Sequence, residues 1–144
     1  MIRVTGLLDA APEAADRIAL DYEGRLLRRK RLVTDAGRAV MLDLAQTTDL
    51  SDHGGLALED GSTVALEAAP EPVLVVRGPL ARLAWHIGNR HAPCRIEEDH
   101  LLVRDDPVMR RMLEGLGAAV APATMPFRPE GGAYGHGRTM GHAH

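Results

Sequence analysis

The chain has 144 residues, 45% of them hydrophobic and 26% charged, which is ordinary for a water-soluble protein of one domain or two small ones. A formal net charge of −3 argues against generic attraction to nucleic acid or anionic membranes, and no segment approaches the roughly 18 apolar residues that span a bilayer. The single cysteine excludes an internal disulfide, and the N-terminus lacks a secretory signal pattern, so we expect a soluble cytoplasmic protein.

Residues 1–72 are predicted to form a β-rich domain. Short apolar stretches are separated by three turn signals, which are Glu-Gly at 23–24, Asp-Ala-Gly at 35–37 and Glu-Asp-Gly at 59–61. Each signal is typical of a β-hairpin, and several short strands at close spacing favour a small β-sandwich or barrel-like unit. The prolines of AAPEP at 68–72 mark the predicted end of this domain.

The pattern changes from residue 73 onwards. The apolar run VLVVR at 73–77 predicts a buried strand, and Pro79 suits the first position of a helix. Four apolar residues at helical spacing give this helix a core-facing stripe: Leu80, Leu83, Ala84 and Ile87. Gly88 and Asn89 are candidates for its end. Two strands are predicted within 94–104, with Asp99 near the turn between them.

A second helix is predicted after these strands. Asp106 is placed to cap it, with Pro107 just inside. Its apolar stripe consists of Met109, Met112, Leu113 and Leu116. Gly117 closes the helix. Residues 118–127 then predict a last strand at a sheet edge, because their prolines cannot donate ladder hydrogen bonds.

The predicted fold class is α+β. A small all-β domain covers residues 1–72, and the order β-α-β-β-α-β over residues 73–129 is the ferredoxin-like arrangement. Residues 130–144 contain five glycines and three histidines without apolar periodicity, which predicts a flexible tail. Because the ferredoxin-like fold hosts many functions, the function must be argued from particular residues.

The segment HIGNRHAPC at 86–94 raises the question of a metal site, since imidazole is a common ligand of borderline metals. His91 lies in a turn that Pro93 stiffens; it either ligates a metal or bonds to a last-turn carbonyl as an ordinary surface histidine. His86 is predicted on the helix beside the core stripe, so the two imidazoles do not share one helical face. One cysteine, Cys94, cannot build a closed structural zinc site, and it is expected to be a half-buried structural thiol.

Three further histidines, His136, His142 and His144, lie within nine residues of the predicted tail. They indicate either a weak metal-binding tract or an inert polar tail.

Two other features leave alternatives open. Trp85 falls off the apolar stripe of the first helix, where it would cover a domain junction or a subunit interface. The segment GRLLRRKR at 24–31 has five positive charges in seven residues, 25–31. It is either a solvated strand or a surface for an acidic protein partner, the latter being favoured over nucleic acid by the acidic chain as a whole.

Several of these segments together resemble the UreE family of urease accessory proteins, which are nickel metallochaperones. The resemblance is carried by HIGNRHAP at 86–93, DDPVMRRMLEGLGAAV at 105–120 and APATMPFRPEGGAYGHG at 121–137, in that order. It extends back through GRLLRRKRLVTDAGRAVMLDL and APEPVLVVR and covers most of the chain.

The resemblance implies an N-terminal domain that handles protein partners and a C-terminal ferredoxin-like metal-binding domain. It implies a homodimer in which the GNRH histidines, His91 of each chain, face each other and share one metal ion. His136, His142 or His144 would complete that site from the tail, and His86 is the remaining candidate ligand.

The cargo implied by the resemblance is Ni(II), and the same ligands would also bind Cu(II) or Zn(II). The implied partners are the urease apoprotein and other urease accessory proteins of GTPase type, with no nucleic acid and no membrane. The chain departs from some family members at 104–107, Arg-Asp-Asp-Pro, where they carry histidines, and it lacks a polyhistidine tail. An auxiliary site and nickel storage are therefore not expected.

Two other classes of function stay open on the residues alone. A metal-dependent hydrolase would use Glu97, Glu98, Asp105 or Asp106 as general base beside an open metal position. A protein- or RNA-binding adaptor would use the basic segment, and its histidines would be incidental.

Overall fold

The computed structural model describes residues 1–131, which form two compact units. The first unit is Met1–Ala69, and the second begins at Pro70, three residues before the predicted domain start at 73. The earlier start arises because Pro70 and Pro72 already pair with the last strand of the second unit. The two helices among the described residues have ten and nine residues, and neither is able to cross a bilayer.

The first unit contains six strands, as the β-rich pattern predicts. They are β1 (Ile2–Leu8), β2 (Asp16–Leu20), β3 (Leu26–Val33), β4 (Ala39–Asp49), β5 (Gly55–Leu58) and β6 (Thr63–Ala68). Short 3₁₀ turns lie at Glu23–Arg25 and Leu50–Asp52. The strands form one sheet in the order β2-β6-β5-β1-β4-β3. Strand β1 joins its two halves, because its first residues pair with β4 and its later residues with β5.

Two of the three predicted hairpins are confirmed. β3 and β4 pair across the turn that contains Gly37, and β5 and β6 pair across the turn that contains Gly61. Both glycines have positive φ, 87° and 86°, which a side chain would disfavour. The hairpin predicted at Glu23-Gly24 is wrong, because β2 pairs in parallel with β6 and not with β3.

The core of the first unit is aliphatic. Its buried members come from five strands and one 3₁₀ turn: Ile18, Leu32, Val40, Leu42, Leu50, Leu56, Leu58 and Val64. A buried carboxylate, Asp16, lies at the start of β2. Its oxygens accept hydrogen bonds from the backbone N–H of Ala36 (3.0 Å) and from Arg38 Nε (3.0 Å), so it ties β2 to the β3–β4 turn.

These bonds change the acidity of Asp16. The Thr34 hydroxyl, followed by the Ala36 N–H, Arg38 and the Arg17 N–H, lowers the pKa of Asp16 from 3.8 to about 2, against the opposing effect of burial. A carboxyl group with a lowered pKa stabilises the folded state above its unfolded pKa, and this contribution is lost as the pH falls through the folded value.

We predict that Asp16→Asn lowers the free energy of unfolding at neutral pH and flattens its decline between pH 3.8 and about 2. Urea denaturation across this range measures both effects. Asp35→Asn, which removes an exposed carboxylate in the neighbouring turn, is the control. An unchanged acid decline in Asp16→Asn would show that other groups cause the loss of stability.

The second unit has the predicted ferredoxin-like order. Its elements are β7 (Pro70–Arg77), α1 (Leu80–Asn89), β8 (Arg95–Ile96), β9 (Leu101–Arg104), α2 (Pro107–Gly115) and β10 (Ala119–Pro126). The sheet order is β10-β7-β9-β8, with all neighbours antiparallel, and β10 lies at the predicted edge. The α+β fold class is therefore confirmed.

Both helices pack on one face of this sheet. The buried residues that they share with the strands are Leu74, Val76, Leu83, Ile87, Leu101, Val103, Met109 and Leu113. The predicted stripes of both helices are confirmed, since Leu80, Ala84, Met112 and Leu116 pack against this cluster. This rigid base carries the turn that follows α1.

Candidate metal site

The outward side of α1 carries an aromatic pair. Trp85 is 63% exposed, off the core stripe as predicted, and His86 is half-buried beside it. Their ring centroids are 5.0 Å apart and their planes are nearly perpendicular, at 86°. This edge-to-face packing is a favourable aromatic arrangement, so it constrains the imidazole of His86.

Helix α1 ends in a hydrogen-bonded turn whose left-handed residue is His91. The Ala92 N–H donates to the Ile87 carbonyl (3.3 Å), and the His91 N–H donates to the Gly88 carbonyl (2.9 Å). This pair of bonds defines a Schellman motif, which needs a residue of positive φ at the position that His91 occupies. The φ of His91 is 57°, and it is the one non-glycine residue with positive φ in the described part of the chain.

The helix ends at Asn89, as predicted, but the left-handed residue that follows it is neither Gly88 nor Asn89. Both residues lie inside α1, and Arg90 is its C-cap. Pro79, predicted as the first helical residue, is instead the N-cap. Sequence reasoning missed the left-handed position because glycine, and less often asparagine, is the residue used to recognise it, although histidine is also enriched among the non-glycine residues found there.

Helix α2 ends in the same motif with the expected residue. The Ala118 N–H donates to the Leu113 carbonyl (3.0 Å), and the Gly117 N–H donates to the Glu114 carbonyl (3.0 Å). Gly117 has a φ of 87°, which confirms its predicted role. At its other end α2 is capped by Asp106, whose side chain accepts a hydrogen bond from the Met109 N–H (3.1 Å).

The two turns differ in that α1 has an imidazole side chain where glycine would be less strained. A non-glycine residue in the left-handed region costs on the order of 1–3 kcal/mol. His91 is exposed, whereas Ile87 before it is buried and Ala92 after it packs on the core. Both sides of the turn are thus anchored, and the turn holds one imidazole at a defined place on the surface.

A second segment reaches this region from the C-terminal side of β10. The Glu130 N–H donates to the Cys94 carbonyl (2.8 Å), and its side chain accepts from the Ile96 N–H (3.3 Å). Arg95 Nη1 donates to the Arg128 carbonyl (3.3 Å). The described part of the chain therefore ends beside β8. No sequence signal predicted this contact, because it joins residues more than thirty positions apart.

Cys94 lies at this contact as a half-buried thiol, as expected. Burial, followed by the charge of Glu130, raises its pKa to about 11. A thiol with such a pKa is protonated at neutral pH and is a poor metal ligand or nucleophile.

The described residues do not assemble a complete ligand set. Within residues 1–131, no group of three or more His, Cys, Asp or Glu side chains is placed to hold a metal ion. His86 and His91 are both at the C-terminal part of α1 and its turn. His136, His142 and His144 lie outside the described residues, so their roles stay predictions.

Two of the four carboxylates considered for a general base, Glu97 and Asp106, have structural contacts. Glu97 accepts from Arg95 Nε (2.7 Å), and Asp106 is the N-cap of α2. Asp99, in the β8–β9 turn, lies 2.6 Å from His100 Nδ1, and this hydrogen bond is the main reason that the pKa of Asp99 is lowered. These contacts give Glu97, Asp99 and Asp106 a role in local folding.

We predict that the free energy of unfolding of His91→Gly equals that of the parent protein or exceeds it by up to about 1 kcal/mol. The reason is that relief of backbone strain offsets the larger unfolded-state entropy of glycine. Gly117→Ala, the matched change at the end of α2, should lower the free energy of unfolding by about 1 kcal/mol or more. Urea denaturation measures both values. Marked destabilisation by His91→Gly would show that the imidazole itself holds the turn together.

Comparisons with known proteins agree with the two-unit architecture. The family model described as "UreE urease accessory protein, N-terminal domain" matches residues 2–69, and the one described as "UreE urease accessory protein, C-terminal domain" matches residues 71–144. The boundary between the matches coincides with the start of β7 at Pro70.

Similar curated proteins carry the name "Urease accessory protein UreE". The chain is 60% identical to the one from Rhodobacter capsulatus over 131 residues, which cover 91% of this chain and 84% of the relative. It is 63% identical to that of Paracoccus denitrificans strain Pd 1222 over 122 residues, covering 85% and 79%. For Chelativorans sp. strain BNC1, identity is 46% over 154 aligned positions, covering 100% and 98%.

Proposed function

We propose that this chain, which belongs to the UreE family of urease accessory proteins, is a cytoplasmic, non-catalytic metallochaperone. It binds Ni(II) at a homodimer interface and delivers the ion for assembly of the urease metal centre. The observation that carries the proposal is the placement of His91. The left-handed conformation of His91 costs conformational free energy that glycine would avoid. A metal-binding role for the exposed imidazole, held by a turn that is anchored on both sides, accounts for histidine at this position.

The need for a second copy follows from the number of ligands. The described residues of one chain offer no group of three ligands around His91. A two-fold axis brings the same residue of both chains to one point, so two copies supply two imidazoles where one chain supplies one. Trp85, which is exposed on α1 six residues before His91, would then be covered by the partner.

The tail is able to supply the remaining ligands. Glu130 is fixed against Cys94, three residues after His91, and His136 follows six residues later. Six extended residues span at most roughly 20 Å. His136 is therefore within chain reach of the His91 turn, and His142 and His144 have longer connections. A half-buried, protonated thiol at Cys94 leaves imidazole as the dominant ligand type.

A site made of a few exposed imidazole ligands is suited to transfer of the ion to another protein. Imidazole ligands also bind Cu(II) and Zn(II), and affinity for Cu(II) should exceed that for Ni(II) by the usual divalent order, so nickel as the physiological cargo rests on family membership. An exposed site with few ligands allows a partner to replace them one at a time. The partners that we propose are the urease apoprotein and GTPase-type accessory proteins, because the relatives are named urease accessory proteins.

We predict that His91→Ala weakens Ni(II) binding more than about tenfold, since a shared site loses both of its imidazoles at once. Calorimetric titration of the full chain measures the affinity, and light scattering after size exclusion measures the mass with and without Ni(II). His100→Ala, which removes a histidine of the β8–β9 turn, is the matched control and should bind like the parent protein.

Trp85 supplies an independent readout in the same experiment, because it is the only tryptophan of the chain. Its emission should shift to shorter wavelength as the dimer forms, and His91→Ala should lose the metal-dependent part of this shift. Zn(II) is the diamagnetic control for quenching by nickel. Unchanged nickel affinity in His91→Ala would contradict the proposal, as would urease activation by that variant at the parental rate. Hydrolytic turnover by the metal-loaded protein would instead favour a metal-dependent hydrolase.

We further predict that nickel affinity falls below about pH 6, because protons compete with the metal for imidazole nitrogen in this range. Titrations at a series of pH values in the same weakly coordinating buffer measure this effect. Affinity that does not change between acidic and mildly alkaline solution would indicate that carboxylates, and not histidines, hold the ion.

A further inference from the structure

A run of positive charge lies at one edge of the first unit. Strand β3 is the last strand of the six-stranded sheet, and β4 is its one pairing partner among residues 1–131. Four consecutive residues of β3 are exposed, and we call them the basic edge: Arg28, Arg29, Lys30 and Arg31. Arg25, the fifth cation predicted for this segment, is instead buried, with Nε donating to Ser51 Oγ (3.0 Å) and Nη1 to the Leu20 carbonyl (3.0 Å).

The basic edge is not neutralised by ion pairs within the described part of the chain, although the exposed Asp43 is opposite Arg29 in the β3–β4 register. None of its four side chains forms an ion pair or hydrogen bond there. Other cations do, for example Arg17 with Glu67 (3.1 Å) and Arg38 with Asp16 (3.0 Å). Residues 1–69 contain twelve Asp and Glu against eight Arg and Lys. Four adjacent cations without partners, on an otherwise acidic unit, repel one another and raise the local potential.

The register of the β3–β4 pair shows which side chains share a face. Arg31 is opposite Met41, and Val33 is opposite Ala39. Because alternate residues of a strand point to the same side, Arg29, Arg31 and Val33 line one face of β3. Val33 is 53% exposed, so this face ends in an accessible apolar side chain beside its cations.

We propose that the basic edge is a docking site for an extended acidic segment of another protein, which adds to the sheet as a strand beside β3. β3 contains no proline, so every residue whose N–H group points away from β4 is able to donate to an added strand. An added strand with acidic residues at alternate positions and an apolar residue after them matches Arg29, Arg31 and Val33. A second copy of β3 is disfavoured, because its cations would face these cations.

Charge complementarity also separates this partner from a nucleic acid. The acidic remainder of residues 1–69 would repel a long phosphate backbone, and residues 28–33 include no aromatic side chain on which a base stacks. A short acidic segment meets the cations without meeting the surrounding carboxylates. The proposal is independent of the metal site.

The test uses a fluorescein-labelled peptide of alternating Asp and Val residues, whose binding to the full chain is followed by fluorescence anisotropy. Replacement of Arg29, Lys30 and Arg31 by Gln should weaken binding by about tenfold or more. The matched control replaces Arg3, Arg82 and Arg111 by Gln; these exposed arginines lie elsewhere, so the net charge changes equally. Raising the salt from about 0.05 M to about 0.5 M should also weaken binding.

Two further probes test the mode of docking. Two peptides are methylated on their backbone nitrogens, one at its odd residues and the other at its even residues, so both keep their charges. The N–H groups of successive strand residues point to opposite edges. One methylated peptide should therefore lose binding, and the other should keep it. Equal binding of both methylated peptides overturns the proposal. The proposal is also overturned if the triple variant and the control bind the peptide equally. It is overturned as well if a single-stranded oligonucleotide of the same charge binds the protein more tightly than the peptide does.

Discussion

The closing turn of α1 is the constraint on which the candidate site depends. Two backbone hydrogen bonds, from Ala92 to Ile87 and from His91 to Gly88, fix the direction in which the chain leaves the helix. Because Ile87 is buried in the core between helices and sheet, the turn inherits the rigidity of that core. The left-handed conformation of His91 is then imposed by its surroundings, and the imidazole is presented without depending on a mobile loop.

The two helices of the second unit show how a fold separates stability from function. Both end in the same hydrogen-bonded turn, but α2 places Gly117 at the left-handed position and α1 places His91 there. Glycine is the less strained choice, so the ferredoxin-like scaffold does not require histidine at that point. This difference between two otherwise equivalent turns is what the proposed metal site would explain.

The same comparison explains what could be predicted from the sequence. Gly37, Gly61 and Gly117 marked real turns because glycine is the residue that tolerates positive φ. Gly24 marked no hairpin, since β2 pairs with the distant β6, a choice decided by tertiary packing. The left-handed residue after α1 was not predicted, because His91 takes a position that pattern rules reserve for glycine. The histidines were candidate ligands from their residue type and spacing, but their assembly into one shared site came only from the family resemblance, and the contact of Glu130 with Cys94 had no local signal.

That contact at Glu130 bears on how a loaded site would respond to dilution. A ligand tethered a few residues from the site acts at an effective concentration on the order of millimolar, whatever the concentration of the protein. Encounter of two copies, by contrast, becomes rarer as the protein is diluted. Of the two contributions to the proposed site, the tethered imidazoles would therefore persist in dilute solution. A monomer that dissociates from the dimer would therefore keep some of the ligands of its ion and would not release the ion to water.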